Sequence, residues 1–152
     1  MDTTKFTHQL TKTLIDIMFY GGILLCIIIP FPFMRPYLIR WVGAAESGID
    51  IHLAVLLISG NAAIFILWQM KQIFKTLMQE NPFVIKNVSC LRKSGVASFI
   101  IAIAFMVRTG FWFTAGSILI VILCTLLGLF CLTLKDVFKQ AIAYKEENDW
   151  TV

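Results

Sequence analysis

"AGSILIVILCTLLGLFCLTL", Ala115 to Leu134, runs for 20 residues without a charged side chain. At 1.5 Å per residue, a helix of this length covers about 30 Å, the thickness of a bilayer's hydrocarbon core. Lipid offers no partner for backbone N–H and C=O groups, so such a stretch must satisfy them internally, as a helix. A membrane barrel would instead show short segments of alternating polarity. Three more stretches of the same kind lie at about 14–33, 51–70 and 94–113. Composition agrees: of 152 residues, 59% are hydrophobic and 14% charged, against about one-quarter charged in a soluble domain. A chain this short cannot hide that much apolar surface in one aqueous core. The expectation is an all-α membrane protein, one integral domain over 1–152, folded as a four-transmembrane-helix bundle.

The first stretch reads as an uncleaved helix. Lys5 and Lys12 make a basic start, but Pro30-Phe31-Pro32-Phe33 closes the apolar run and Arg35 and Arg40 follow. Gly43-Ala44-Ala45 lies beyond both arginines, too late for a signal-peptidase site. The prolines should kink or stop this helix.

Charge orients the bundle. With both termini inside, ten basic residues (Lys5, Lys12, Lys71, Lys75, Lys86, Arg92, Lys93, Lys135, Lys139 and Lys145) fall on the inner side, and three (Arg35, Arg40 and Arg108) on the outer. That bias is a positive-inside signal. The formal net charge of +4 therefore reports topology and affinity for anionic lipid, and direct nucleic-acid binding is not expected.

The second and fourth helices outrun the lipid. Met70, Ile73, Phe74, Leu77 and Met78 keep an apolar stripe at helical spacing, as do Leu134, Val137, Phe138, Ala141 and Ile142. The spacing predicts helical extensions into the cytoplasm over about 71–93 and 135–147. The two stalks run parallel, and their stripes could meet or lie in the headgroup zone. Between them, Asn81 suits an N-cap and Pro82 a first helical position, so the third helix should begin in the cytoplasm.

"ENPFVIKNVSCLRKSG" (80–95) and "VFKQAIAYKEENDWTV" (137–152) together resemble the DUF2975 family, small four-helix bacterial membrane proteins of unassigned biochemical function. The likeness rests on Asn81, Pro82, Phe83, Asn87, Val88, Leu91, Arg92 and Gly95, then on Glu146, Glu147, Asp149, Thr151 and Val152. Trp150 stands where leucine is usual. The likeness covers roughly 69–152. It implies a bacterial plasma (inner) membrane location, multi-pass, and a partner of the kind such proteins often have, a small helix-turn-helix regulator encoded beside them.

Both motifs are cytoplasmic in this topology, and two readings of the ending stay open. Glu146, Glu147, Asp149 and the Val152 carboxylate could fold back onto the basic Lys86/Arg92/Lys93 helix, with Trp150 and Val152 filling an apolar notch around Phe83 and Val84. The tail could instead stay free, disordered or for a partner.

The residues offer little chemistry. Cys26, Cys90, Cys124 and Cys131 form neither a C-x-x-C nor a zinc pattern and read as reduced packing residues. His8 and His52 lie on opposite sides, and no cofactor or metal is expected. Among intramembrane polar groups, Asp16 could pair with Lys12 one turn earlier or couple protons to a substrate. Asn61 could bond Thr125 or Ser117 or line a ligand cavity. Arg108 could snorkel, or bind Glu46 or Asp50 of an outer loop (34–50) that could lid a small cavity. Gly21, Gly22, Gly60, Ala63, Gly116 and Gly128 could seal the bundle or a homo-oligomer. Two function classes follow. The first is a membrane-anchored regulatory or interaction protein, not an enzyme, whose extensions and acidic tail bind or control a partner. The second is a small transporter or permeability protein using Asp16, Asn61 and Arg108.

Overall fold

Pro30 and Pro32 have no N–H to donate, and the first helix stops ahead of them. In the computed structural model, α1 spans Asp2–Ile28 and does not reach Phe33. Its last turn closes with Ile29 N–H to Leu25 O (2.9 Å) and Phe31 N–H to Ile28 O (3.1 Å). A 3₁₀ turn, Pro32–Met34, leads into the short helix α2, Arg35–Val42. Then come α3 (Ile49–Met78), α4 (Ile85–Phe111) and α5 (Ala115–Asp149). The structure describes residues 2–42, 48–79 and 83–149, with side chains from 9–40, 48–79 and 83–148.

Among the described residues there is no strand, and α1, α3, α4 and α5 are each long and apolar enough to cross a bilayer. The chain is a helical, multi-pass membrane protein. Its long helices pack antiparallel in chain order, α1 on α3, α3 on α4 and α4 on α5. This leaves both described chain ends at one end of the bundle, the termini end, and the α4–α5 turn at the other. α4 is the central helix: 44% of its apolar window is buried, against 6% of that of α1.

The face of α4 toward its neighbours is made of Asn87, Cys90, Leu91, Ser94, Gly95, Ala97, Ser98, Ile101 and Ala102. Small residues win here because lipid supplies no hydrophobic drive between helices, so close backbone approach decides packing. Gly95 and Gly128 mark the tightest crossing. A Cβ on Gly95 would lie 3.1 Å from the Gly128 carbonyl oxygen, and one on Gly128 would lie 3.2 Å from that of Gly95.

Two expectations about the extensions change. α3 and α5 flank α4, so their apolar stripes do not face one another. Phe74 and Met78 instead turn toward Lys12 and Ile15 of α1, and Phe138 meets Phe83 with ring centroids 5.4 Å apart. α4 begins at Ile85, not at Pro82; Val84 precedes it in extended conformation (φ −126°, ψ 145°). Phe83 is held out of the helix by its contact with Phe138, and the first turn closes with Asn87 N–H to Val84 O at 2.9 Å. Asn81 and Pro82 lie outside the described residues.

The far end is closed by contacts between connections. Arg35 donates to Asp50 at 2.6 Å, joining the start of α2 to the first turn of α3. His52 shares a hydrogen bond with Gly48 O (3.0 Å) and stands edge-on to Trp112 at 4.7 Å.

Candidate functional site

Chemistry-bearing residues gather at the termini end, and helix register decides which of them meet. Asn87 donates to Thr76 Oγ1 at 2.7 Å across the α3–α4 seam. Thr76 also lies within donating distance of Ile73 O at 2.8 Å. Asn87 is fully buried, so an amide here must be hydrogen-bonded, and Thr76 supplies that partner. Gln69 and Ser94 each lie seven residues further along their helices, at one common level. Both are nearly inaccessible, at 2% and 1% exposure, and Gln69 Nε2 and Ser94 Oγ have no described hydrogen-bond partner. Beside this seam, Lys86 Nζ donates to Gln72 Oε1 at 3.0 Å.

Of this seam the sequence singles out Asn87 alone. Gln69, Thr76, Ser94 and Ser98 are legible only as polar or small residues recurring at heptad-like spacing inside apolar helices, a pattern that marks a helix interface in lipid.

On the other side of α3, an open cavity of about 420 Å³ separates it from α1. Asp16 forms part of its wall and pairs with Lys71 at 2.7 Å, not with Lys12. An i, i+4 pair on α1 is the shorter route by sequence, but packing places the Lys71 ammonium on the carboxylate. It also lies 4.8 Å and 5.1 Å from the ring centres of Phe19 and Tyr20. Lys12 and Lys75 complete the basic lining.

The acidic ending takes a course of its own. No glycine or proline interrupts the chain from Leu129 to Asp149, and α5 continues as one helix of 35 residues, roughly 52 Å at 1.5 Å per residue. Phe138 is level with Phe83, just outside the start of α4. α5 therefore extends past Ile85, where α4 begins. Glu146 and Glu147 are exposed. They lie about 20 Å along the axis from the level of Arg92 and Lys93, which are also exposed. Up to Asp149 the ending is carried away from the basic helix and not folded back upon it. Trp150, Thr151 and Val152 lie outside the described residues, as does the Asp149 side chain. Tyr144 on this arm and Val137 beside Phe138, two turns apart on one face, are 71% and 52% exposed.

The remaining intramembrane candidates are not brought together. Asn61 is exposed, and its amide donates to Leu57 O of its own helix at 2.8 Å, not to Thr125 or Ser117. Thr125 bonds Val121 O at 2.7 Å. Arg108 donates to Ser117 Oγ at 2.7 Å, joining the far ends of α4 and α5. Asp50 is held by Arg35, and Glu46 is outside the described residues. Arg108, His52 and Leu38 line a second cavity of about 110 Å³ at the far end. Gly22 and Gly60 are taken up by the α1–α3 contact, near Ile64 and Cys26, while Gly21 and Gly116 have open space. All four cysteines are unpaired. Among the described residues, no group of three His, Cys, Asp or Glu side chains could hold a metal ion.

No curated protein and no solved structure matches the chain. The family described as "Protein of unknown function (DUF2975)" matches residues 37–152. That stretch takes in α3, α4 and α5 whole, with the Asn87 seam and the exposed arm, so the chain belongs to the DUF2975 family.

Proposed function

We propose that this is a membrane-anchored regulatory protein whose helical arm at the end of α5, with the adjoining α3–α4 turn, binds and controls a cytoplasmic partner. The observation that carries this reading is the arm itself: helix continuing past Phe138 and past the start of α4, with Tyr144 uncovered on it two turns from exposed Val137. A helix that served only to cross lipid gains nothing by displaying an aromatic and a β-branched residue to water, whereas two such anchors two turns apart are what a groove on a partner grips. Glu146 and Glu147 near its tip would favour a basic surface. A small helix-turn-helix regulator, the partner that the family resemblance implies, offers one. The excess of lysine at this end supports a plasma-membrane topology with both termini in the cytoplasm.

The transport reading receives less support. Asp16 is engaged by Lys71 at one end of the bundle, Arg108 by Ser117 at the other, and Asn61 lines neither cavity that they line.

The test is co-purification from native membranes with the full chain and with a chain ending at Ala143. A cytoplasmic protein retained by the first and lost from the second supports the proposal. The same set of proteins retained by both removes its basis.

A further inference from the structure

We propose that the cavity between α1 and α3 is a binding site for one anionic phospholipid, its phosphate held among Lys12, Lys71 and Lys75 and an acyl chain running inward past Tyr20 and Trp68. All three lysines line the cavity. Three ammonium groups face one carboxylate, Asp16, leaving a net excess of two positive charges at this place. Lys71 is fixed by Asp16 and by the rings of Phe19 and Tyr20. It is thus pre-placed, and ordering it for a ligand costs little. Lys12 and Lys75 are exposed and have no described hydrogen bond or ion pair. They are the donors left over for an incoming phosphate.

The level of the cavity selects a lipid over a soluble anion. It lies where the charge-free run of α3 ends at Lys71 and where α1 passes from Lys12 and Asp16 into apolar residues. That boundary is the depth of phospholipid phosphates. One turn nearer the bilayer centre, exposed Tyr20 follows Asp16 on α1 and exposed Trp68 precedes Lys71 on α3. An acyl chain can cover that surface, and a free phosphate cannot. Because α1 packs chiefly on α3, a lipid seated here would brace that edge helix. The site lies on α1 and α3, not on the α5 arm, so it stands or falls apart from the partner-binding proposal.

Native mass spectrometry of the full chain in neutral detergent tests this, with phosphatidylglycerol, phosphatidylcholine and inorganic phosphate added separately. The first phosphatidylglycerol is expected to bind at least roughly tenfold more tightly than phosphatidylcholine. Lys12→Gln with Lys75→Gln should weaken it by roughly 30-fold, the factor that two near-surface lysines carry. Lys75→Gln alone, at an exposed side chain, should weaken it by roughly fivefold on the same basis. Lys135→Gln with Lys139→Gln, which removes the same charge from α5, should leave it unchanged. Equal binding of the two lipids, or equal loss in both double variants, overturns the site. Inorganic phosphate binding as tightly as phosphatidylglycerol overturns the choice of a lipid.

Discussion

The crossing of α4 and α5 makes a quantitative claim about two glycines. Replacing Gly95 with alanine would place its Cβ 3.1 Å from the backbone oxygen of Gly128 and 3.2 Å from Leu132 Cγ. A carbonyl within a helix cannot rotate away, so the two helices must part by a few tenths of an ångström along the crossing. Overpacking of this kind costs about 1–3 kcal/mol. Against it stands the gain from alanine over glycine in a helix interior, about 1 kcal/mol. The net expectation for Gly95→Ala is a loss of about 0–2 kcal/mol, which leaves it about 1–3 kcal/mol below a glycine-to-alanine change that meets no neighbour. Gly21 sits well inside α1, and a Cβ there would meet nothing within 4 Å, so Gly21→Ala should keep the propensity gain and lose nothing. Gly128→Ala meets the Phe99 ring edge at 3.0 Å as well as the Gly95 carbonyl. The ring can swing, the carbonyl cannot, and the double variant should cost less than the two singles together, since one separation relieves both.

Unfolding of the purified chain in mixed micelles, with sodium dodecyl sulfate as titrant and helix content as readout, measures all four variants on one scale. If Gly95→Ala resists the titrant as well as Gly21→Ala does, α4 and α5 do not cross at this register. The placement of Phe83 on Phe138 then falls too. If Gly21→Ala is destabilised, that glycine seals a contact with another copy of the chain.

Other outcomes follow from the same geometry. Asn87→Ala should lower stability by about 1–2 kcal/mol in that assay, because Thr76 keeps Ile73 O as a partner while the cross-helix bond and the amide's volume are lost. Arg108→Ala should cost about 1–3 kcal/mol by leaving buried Ser117 without its donor, and Ser117→Ala should cost less, both read as thermal loss of helix. Tyr144→Ala should change stability by less than about 0.5 kcal/mol, its side chain being exposed, yet abolish co-purification of the partner. Glu147→Cys should escape an impermeant maleimide added to intact cells and react once the cells are opened; labelling before opening refutes the inward orientation.

Hydropathy makes the four crossings legible because lipid leaves a chain few choices: a charge-free run of twenty residues must close its own hydrogen bonds. The stop before Phe33 is legible for a similar local reason, the missing N–H of Pro30. What sequence cannot supply is register between helices. Asp16 has Lys12 one turn away, yet pairs with Lys71, and only the packing of α1 on α3 chooses between them. Asn81 and Pro82 look like a helix start, but Phe83 has a cross-helix contact to make and delays that start to Ile85. By charge alone, the acidic ending looks like a strap. Its backbone preference says otherwise: Lys139 to Glu147 holds no helix breaker, and tertiary attraction to Arg92 and Lys93 would have to unwind that helix to bring the charges together. Exposed ion pairs are worth about 0–1 kcal/mol each, which is too little to repay several turns of helix.

The interior inverts the habit of reading large apolar residues as core. Among the described residues the largest fully buried side chains are Gln69, Asn87, Ser94, Ser98 and Ser117, while Leu126, Leu129 and Phe130 of α5 are turned outward. In water that arrangement would be unstable. In lipid it is the lower-energy choice, since an outward leucine loses nothing and an outward amide loses its partner. Asn61 is the informative exception, an amide turned outward mid-way along α3 with only its own helix to bond. By the same energetic rule that hides Asn87, an outward Asn61 keeps only its Leu57 O bond wherever hydrocarbon covers that face. On that face a contact with another helix would relieve a cost that lipid cannot.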